Sequence, residues 1–400
     1  MSNLWLNCPG LPRPVAAVLG TLHFRKSSAA RLRDLNEAER RKVLTWCDQQ
    51  GLTLLMRDLA PEEVAERAHK NQLRLRTAEK TYRRLTDLPG EFLALKGLTQ
   101  CELFGIRPED RAQYDIDLYF PRESVEAARD ALLANGYESI GGTGKLPTDH
   151  LPGLFPRTGW RWNGDYFDPE MPLAIELHVQ FWNARLERLE VPGIEEFWTR
   201  RVRRTIGNTE LFVLCPQDMA AYSALHLLKH VLQGSTRVFH VYELASFLER
   251  HDGDDRFWTE WRRLHAPGLR RLQAVAFALA ETWFGCAMVP AVLEEIARLP
   301  EAARAWFDEF TASPVTQTFR PNKNELWLHL SLLARWRDKL SVARRRLLPA
   351  NLPPPSRATE SQSRHAVWVG RLASRVRHHA ISLFTTLASG WRWRGRIRRM

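Results

Sequence analysis

The sequence predicts an α/β (α+β) chain in which a short strand-bearing segment lies between two helical regions. Val64, Ala68, Leu75, Ala78, Tyr82 and Leu85 recur at steps of three, four or seven, the spacing of a helix packing stripe. Asp115-Ile116-Asp117-Leu118-Tyr119-Phe120 and Leu173-Ala174-Ile175-Glu176-Leu177-His178-Val179-Gln180 instead alternate polar and apolar with the period of two that a strand imposes. From Pro216 onward the spacing is helical again.

Taken in order, residues 1–88 form an N-terminal helical region. Asn36 is placed to cap a helix over residues 37–50, and a longer helix runs from Pro61 to about Leu85. Residues 89–215 form the core. Phe92-Leu93-Ala94-Leu95 is an apolar run bounded by Pro89-Gly90 and Gly97, the mark of a buried strand ending at a glycine turn. A helix over about 123–134 follows the first alternating strand, and a loop rich in Gly and Pro over 141–172 leads to the second. Residues 216–348 form a second helical region, with helices expected over 217–232, 237–250, 257–264, 269–284 and 290–298. Residues 349–400 hold the proline-rich stretch Pro349-Ala-Asn-Leu-Pro-Pro-Pro-Ser356, a stiff linker, and then a basic tail.

An apolar content of 44% with 26% charged residues is that of a globular chain and excludes wholesale disorder. The net charge of +12 suggests a nucleic-acid binder until the charges are located. Residues 331–400 carry sixteen basic and two acidic residues, leaving 42 basic against 44 acidic in the first 330. The body is therefore close to neutral. Five scattered cysteines without a C-x-x-C pair indicate neither a disulfide framework nor a thiolate zinc site, and fit a reducing compartment. No basic-then-apolar leader opens the chain, and no stretch reaches the roughly 18 uninterrupted apolar residues of a spanning helix. A cytoplasmic protein is expected.

Asp115-x-Asp117 carries the strongest chemical signal. Residues two apart on a strand share a face, with Cα atoms about 7 Å from each other. That spacing lets two carboxylates grip divalent ions about 3.5–4 Å apart, the arrangement of in-line phosphoryl or nucleotidyl displacement. Glu176 repeats the pattern on the second strand and shares its outward face with His178. If the strands are neighbours, three carboxylates converge, and oxygen donors of this kind favour magnesium over zinc. Two acidic residues on a solvated sheet face give the same dipeptide spacing, so context decides. Here the context is a strand running into Lys96-Gly97, where backbone N–H groups can approach a polyphosphate, with Lys96 and Arg111 to neutralise it.

Leu95-Lys96-Gly97, Arg111-Ala-Gln-Tyr-Asp115-Ile-Asp117-Leu, Ile175-Glu176-Leu177-His178 and His226-Leu-Leu-Lys229-His230 occur in the order of an established set of motifs. Over roughly residues 55–248 the chain resembles the uncharacterised bacterial nucleotidyltransferase family of the polymerase-beta-like superfamily. The resemblance implies a small mixed sheet flanked by helices, with Asp115 and Asp117 as metal ligands and Glu176 as a third ligand or the base for the attacking hydroxyl. It also implies Gly97 in the phosphate-binding turn. Two departures stand out: Gly97-Leu98 replaces the usual Gly-Ser or Gly-Gly, and Glu243 stands where an Asp is expected in the later helix.

His226 and His230 lie at i and i+4 on one helix face. Zinc chelation would need Glu at position 227, which is Leu227, and a third ligand. A cleft-facing polar stripe, with Lys229 and Arg237 addressing phosphate or acceptor, stands beside the alternative of a solvated helix face. Gly141-Gly-Thr-Gly144-Lys145 lacks the spacing and the following Ser or Thr of a phosphate loop.

The expected function is a metal-dependent nucleotidyltransferase. It would use magnesium or manganese and an NTP, ATP first among them, to transfer a nucleoside monophosphate to a hydroxyl or amine acceptor with release of pyrophosphate. A non-catalytic nucleotide- or partner-binding descendant is the alternative. Residues 357–400 mix arginine with Trp and a short apolar segment, which suits an anionic membrane surface and a peripheral place at the inner membrane. Nucleic acid is the less favoured partner, and a solubilising tail or a membrane-surface adaptor remain the other readings.

Overall fold

A computed structural model describes residues 3–139, 149–349 and 364–397. The glycine-rich loop at 141–148 and most of the proline-rich linker lie outside the described residues.

Three helices of eight or more residues precede the sheet: α1 (Arg13–Thr21), α2 (Glu37–Gln50) and α3 (Pro61–Leu85). Asn36 caps α2 through a reciprocal pair in which its side chain accepts from the Glu39 N–H and the Glu39 carboxylate accepts from the Asn36 N–H. Then come β1 (Leu93–Ala94), β2 (Asp115–Tyr119), α4 (Val125–Ala134), β3 (Tyr137–Ser139), β4 (Leu154–Pro156), β5 (Ala174–His178), β6 (Val202–Ile206) and β7 (Thr209–Val213). They form one mixed sheet in the order β3-β4-β5-β2-β1-β7-β6. The β2–β5 and β1–β7 pairs are parallel, and the other neighbours are antiparallel.

The mixed α/β class expected from the sequence is the class observed. The alternation of β2 and β5 buries Ile116, Leu118, Ile175 and Leu177 completely, so the carboxylates at 115, 117 and 176 must project from the other face. The sheet also holds two strand pairs that were not expected from the sequence. Strands β3 and β4 extend the β5 edge, and β6–β7 is a hairpin closed by Gly207-Asn208, with Gly207 at φ +59°. A two-residue Gly-Asn turn between polar-apolar alternations was the available signal.

The second helical region supplies α5 (Pro216–Gln233), α6 (Val238–Arg250), α7 (Asp255–Leu264), α8 (Pro267–Phe284), α9 (Pro290–Ala297), α10 (Glu301–Phe310), α11 (Glu325–Leu332) and α12 (Trp336–Leu347). Helix α5 is anchored at its first turn by Asp218, which is fully buried. Arg200 donates to both of its carboxylate oxygens at 2.8 and 2.9 Å, and His265 Nε2 lies 3.0 Å from Oδ1.

The stretch read as a basic tail contains a further helix, α13 (Arg364–Ile397). It is docked on the body through its hydroxyl face, with Ser382, Thr386 and Ser389 buried. Thr386 Oγ1 accepts from the Lys323 N–H at 2.8 Å, and Ser389 Oγ donates to Asn324 Oδ1 at 2.7 Å. Trp393 is buried beside Phe310 and Trp327. Among the described residues no helix is long and apolar enough to cross a membrane.

Burial alone would raise the Asp218 pKa, but His265 and Arg200 hold it below its ordinary 3.8. Its stabilisation is therefore fully present above that value and is lost as pH falls through the lower folded-state value. Asp218→Asn is expected to cost roughly 3 kcal/mol at neutral pH, by removing the buried charge that answers Arg200 and His265 and leaving Arg200 only the exposed Glu196. Urea denaturation of both proteins should show that difference shrinking as the pH is lowered below about 4.

Candidate functional site

The site starts where β1 ends. Lys96 leads into Gly97, which sits at φ +76° and opens a tight turn over Gly97–Thr99. A Cβ there would lie 2.8 Å from Gln113 Nε2, so both backbone angle and space require glycine. Gln113 Nε2 in turn donates to Tyr82 Oη at 3.2 Å and to the Asp115 carbonyl at 3.0 Å, fixing the entry to β2.

The parallel register of β2 and β5 then assembles the carboxylates. Asp117 is paired with Glu176, and Asp115 with Ala174. His178, next on the same face of β5, bonds Asp117 Oδ1 through Nε2 at 2.9 Å and stands 3.7 Å from Glu176 Oε2. Lys96 Nζ lies 3.0 Å from the same Asp117 oxygen. One ligand atom from each of Asp117, Glu176 and His178 fits within a 4.8 Å group, and Asp115 is one strand repeat away.

Electrostatics separate the carboxylates. Burial opposes the charge of all three, but Lys96 and His178 hold Asp117 well below the usual range. Glu176 is likewise held low by its hydrogen bond to His178. Asp115 is different: burial and the neighbouring Asp117 charge outweigh Lys96 and push it up to about 6. His178 gains basicity from Asp117 and Glu176 despite its burial.

A cavity of about 430 Å³ opens beside Asp115 and Asp117, walled on the far side by α5 and α6. Lys96, His226, His230, Arg237 and His240 line it. Lys96 Nζ lies 3.0 Å from His226 Nε2, and His230 Nε2 is also 3.0 Å from that atom. Because an ammonium can only donate, His226 Nε2 is the acceptor and His230 donates to it. Burial and the surrounding cations keep His226 and His240 neutral and push His230 down to about 3. The Nε2 lone pair of His226 is thus already engaged by donors, which disfavours a zinc chelate.

Two expected phosphate ligands have carboxylate partners within the fold. Arg111 lines the cavity, but its Nε donates to Glu243 Oε1 at 2.9 Å in a buried pair. The Glu243 that departs from the expected Asp is therefore the counter-charge of Arg111. Lys229 does not line the cavity; its Nζ lies 2.7 Å from Asp149 Oδ2. Asp149 also faces His178 Nδ1 at 4.0 Å, and Lys229 holds Asp149 down at about 2 against its burial.

A family model described as uncharacterised nucleotidyltransferase matches residues 51–285. The chain belongs to this nucleotidyltransferase family. No curated protein matches it. A crystal structure of an antigenic nucleotidyltransferase-like protein from Paracoccidioides brasiliensis is similar to it at 14% identity and a TM-score of 0.32. That similarity covers 56% of this chain and 97% of the other.

Within this family member, sequence reasoning missed Asp149, His240 and Tyr114. Asp149 is placed by backbone pairing along the β5 edge, where Val179 N donates to Asp149 O and Leu151 N to Leu177 O, and nothing in its local sequence announces this. His240 had a signal in its position three residues after Arg237 on a helix face. Tyr114 lies beneath both Arg237, 5.4 Å from its ring centre, and Arg74 at 5.5 Å. Its proximity to the acidic motif was the only local hint.

Gly97→Ala is expected to destabilise the protein by about 2 kcal/mol, part from the positive φ and part from the Gln113 clash. In a Gln113→Ala background the same substitution should cost only about 1 kcal/mol. Equal costs in both backgrounds, measured by chemical denaturation, would contradict the clash.

Proposed function

We propose that this chain transfers a nucleoside monophosphate from an NTP, ATP first among them, to a hydroxyl or amine acceptor. The observation that carries this is the register pairing of Asp117 with Glu176 beside a cation-lined cavity that also contains Asp115. The acceptor oxygen or nitrogen bonds to the α-phosphorus, the bond to the bridging oxygen breaks, and pyrophosphate leaves. The acceptor proton passes to Glu176, if that carboxylate is not itself engaged as a ligand, or otherwise to solvent.

Asp115, Asp117 and Glu176 would hold magnesium or manganese, with His178 beside them. Hard carboxylate oxygens suit these ions better than zinc. The ion would neutralise charge on the transferring phosphate. Lys96 and Arg237 are the cations placed to meet phosphate oxygens along the cavity, while the Gly97 turn brings backbone close to them. Arg111 and Lys229 act through their partners: Arg111 locks the β2 approach to α6, and Lys229 positions Asp149 behind His178. His226, His230 and His240 line the wall as neutral hydrogen-bonding groups. Five free thiols support a reducing, cytoplasmic setting.

One observation favours the non-catalytic alternative: Lys96 and His178 already balance Asp117 internally. Incubation with α-labelled NTPs, magnesium and cell extract separates the readings. Transfer predicts a labelled acceptor, loss of labelling with EDTA, and a fall of at least about 10²–10³-fold in Asp115→Ala and Asp117→Ala. Calorimetric NTP binding without labelling would favour the alternative, and labelling that survives both substitutions would refute the site.

A further inference from the structure

Large apolar side chains exposed on this protein are concentrated in one stretch of the sequence. Of twelve such residues among the described ones, eight lie between Trp336 and Trp391. A scatter of single exposed apolar residues needs no explanation, but a concentration of them does.

Helix α13 accounts for most of it, and its packing is inverted relative to an ordinary surface helix. The face turned to the body carries Ser382, Thr386 and Ser389, with Gly390 where the Trp327 ring comes close enough that a Cβ would lie 2.1 Å from it. His379 fastens the same face: Nε2 donates to the Leu347 carbonyl at 3.1 Å, and Nδ1 accepts from Lys323 Nζ at 3.2 Å. The face turned to solvent carries Val376, Phe384, Leu387 and Trp391, at i, i+8, i+11 and i+15. Phe384 is 77% exposed and Trp391 83%. Trp391 and Trp393, alike in sequence, are thus divided: one faces solvent and the other is core. Helix α12 adds exposed Trp336 and Leu340, one turn apart, with the Arg337 guanidinium over the Trp336 ring.

The charge beside this stripe has one sign. Arg377, Arg392 and Arg394 are exposed on α13, and residues 364–400 contain no Asp or Glu. A second copy of the chain would bring arginines against arginines. A nucleic-acid backbone would meet the arginines but would offer no apolar phase for Phe384 and Leu387. An anionic lipid surface answers both, since its acyl boundary takes up apolar side chains and its headgroups attract the arginines.

We infer that the outward face of α13, assisted by Trp336 and Leu340 of α12, docks this protein on an anionic membrane surface as a folded, pre-formed element. This stands independently of nucleotidyl transfer.

The test uses the full chain with neutral phosphatidylcholine vesicles and with vesicles containing about one-third phosphatidylglycerol. The protein should sediment with the anionic vesicles and not with the neutral ones, and high salt should release it. Phe384→Ser with Trp391→Ser should weaken binding by about tenfold or more. Arg392→Gln with Arg394→Gln should weaken it by about 25-fold, at about fivefold per arginine. Circular dichroism melts of both variants should match the wild type, because none of the four side chains is buried. The inference fails if the wild type stays in the supernatant with anionic vesicles, a result that needs no variant. It fails equally if both folded variants sediment like the wild type. Self-association lost in the serine variant, or displacement from RNA rather than from lipid, would assign the face to one of the rejected partners.

Discussion

The Lys96 ammonium, held between a carboxylate and an imidazole, is the interaction on which the site depends. Its Nζ reaches Asp117 at 3.0 Å on one side and His226 at 3.0 Å on the other. It therefore ties the end of β1 to the centre of β2 and to α5. Taking a carboxylate out of water costs several kcal/mol unless a partner is held in good geometry, and here the lysine and His178 share that task at one oxygen. The imidazole beyond Lys96 is neutral, so it accepts a proton donor without adding charge. Strand register decides the rest. Because β2 and β5 run parallel with Asp117 opposite Glu176, a third carboxylate is forced into the same field. Asp115 bears the consequence: pushed up to about 6, it is the carboxylate whose ionised form a bound cation would favour most.

Period and punctuation made much of this legible. The alternations at 115–119 and 174–178 and the glycine turn after Lys96 carried the strand assignments, and Asn36 with Glu39 carried the start of α2. Three carboxylates could be named because strand periodicity assigns a face to each residue. Partnership was not legible in this way. Arg111 meets its counter-charge 132 residues away, and Lys229 meets Asp149 across 80 residues. Each reads as a free cation in the sequence, since nothing local marks whether a charge is spent within the fold. Asp149 is the converse case, an acidic residue in a loop that becomes part of the site only when its backbone joins the edge of β5.

The C-terminal helix shows the same limit in another form. Its composition, arginine with tryptophan and short apolar residues, points to an amphipathic helix, and the ordinary assumption is that the apolar face packs inward. Here tertiary partners reverse it. Lys323 and Asn324, just before α11, present a backbone donor and a side-chain acceptor that hydroxyls satisfy, and the Trp327 ring needs the gap that Gly390 leaves. A serine or threonine on a helix is neutral evidence for either face until its partner is known. Gly390 was the residue that could have revealed the orientation, as a helical glycine followed by tryptophans one and three residues on is costly unless something packs against it.

The protein thus handles charge in two regimes, and they respond to solvent differently. Around the sheet, Asp117, Asp149 and Asp218 are each matched to a cation or imidazole within about 3 Å, Arg111 is matched to the Glu243 carboxylate, and all four are largely buried, where salt screens little. Beyond residue 330 the surplus is not answered within its own stretch: fourteen of the positive charges there have no acidic residue in it to balance them. Those among the described residues that are exposed, Arg377, Arg392 and Arg394 included, act over a Debye length of about 8–10 Å and are weakened by ions. A net charge of +12 spread over the whole surface would have blurred these roles. Confining it to the last helices leaves the cavity field to be set by Lys96 and Arg237, and lets ionic strength modulate docking of the chain without disturbing the geometry beside Asp115 and Asp117.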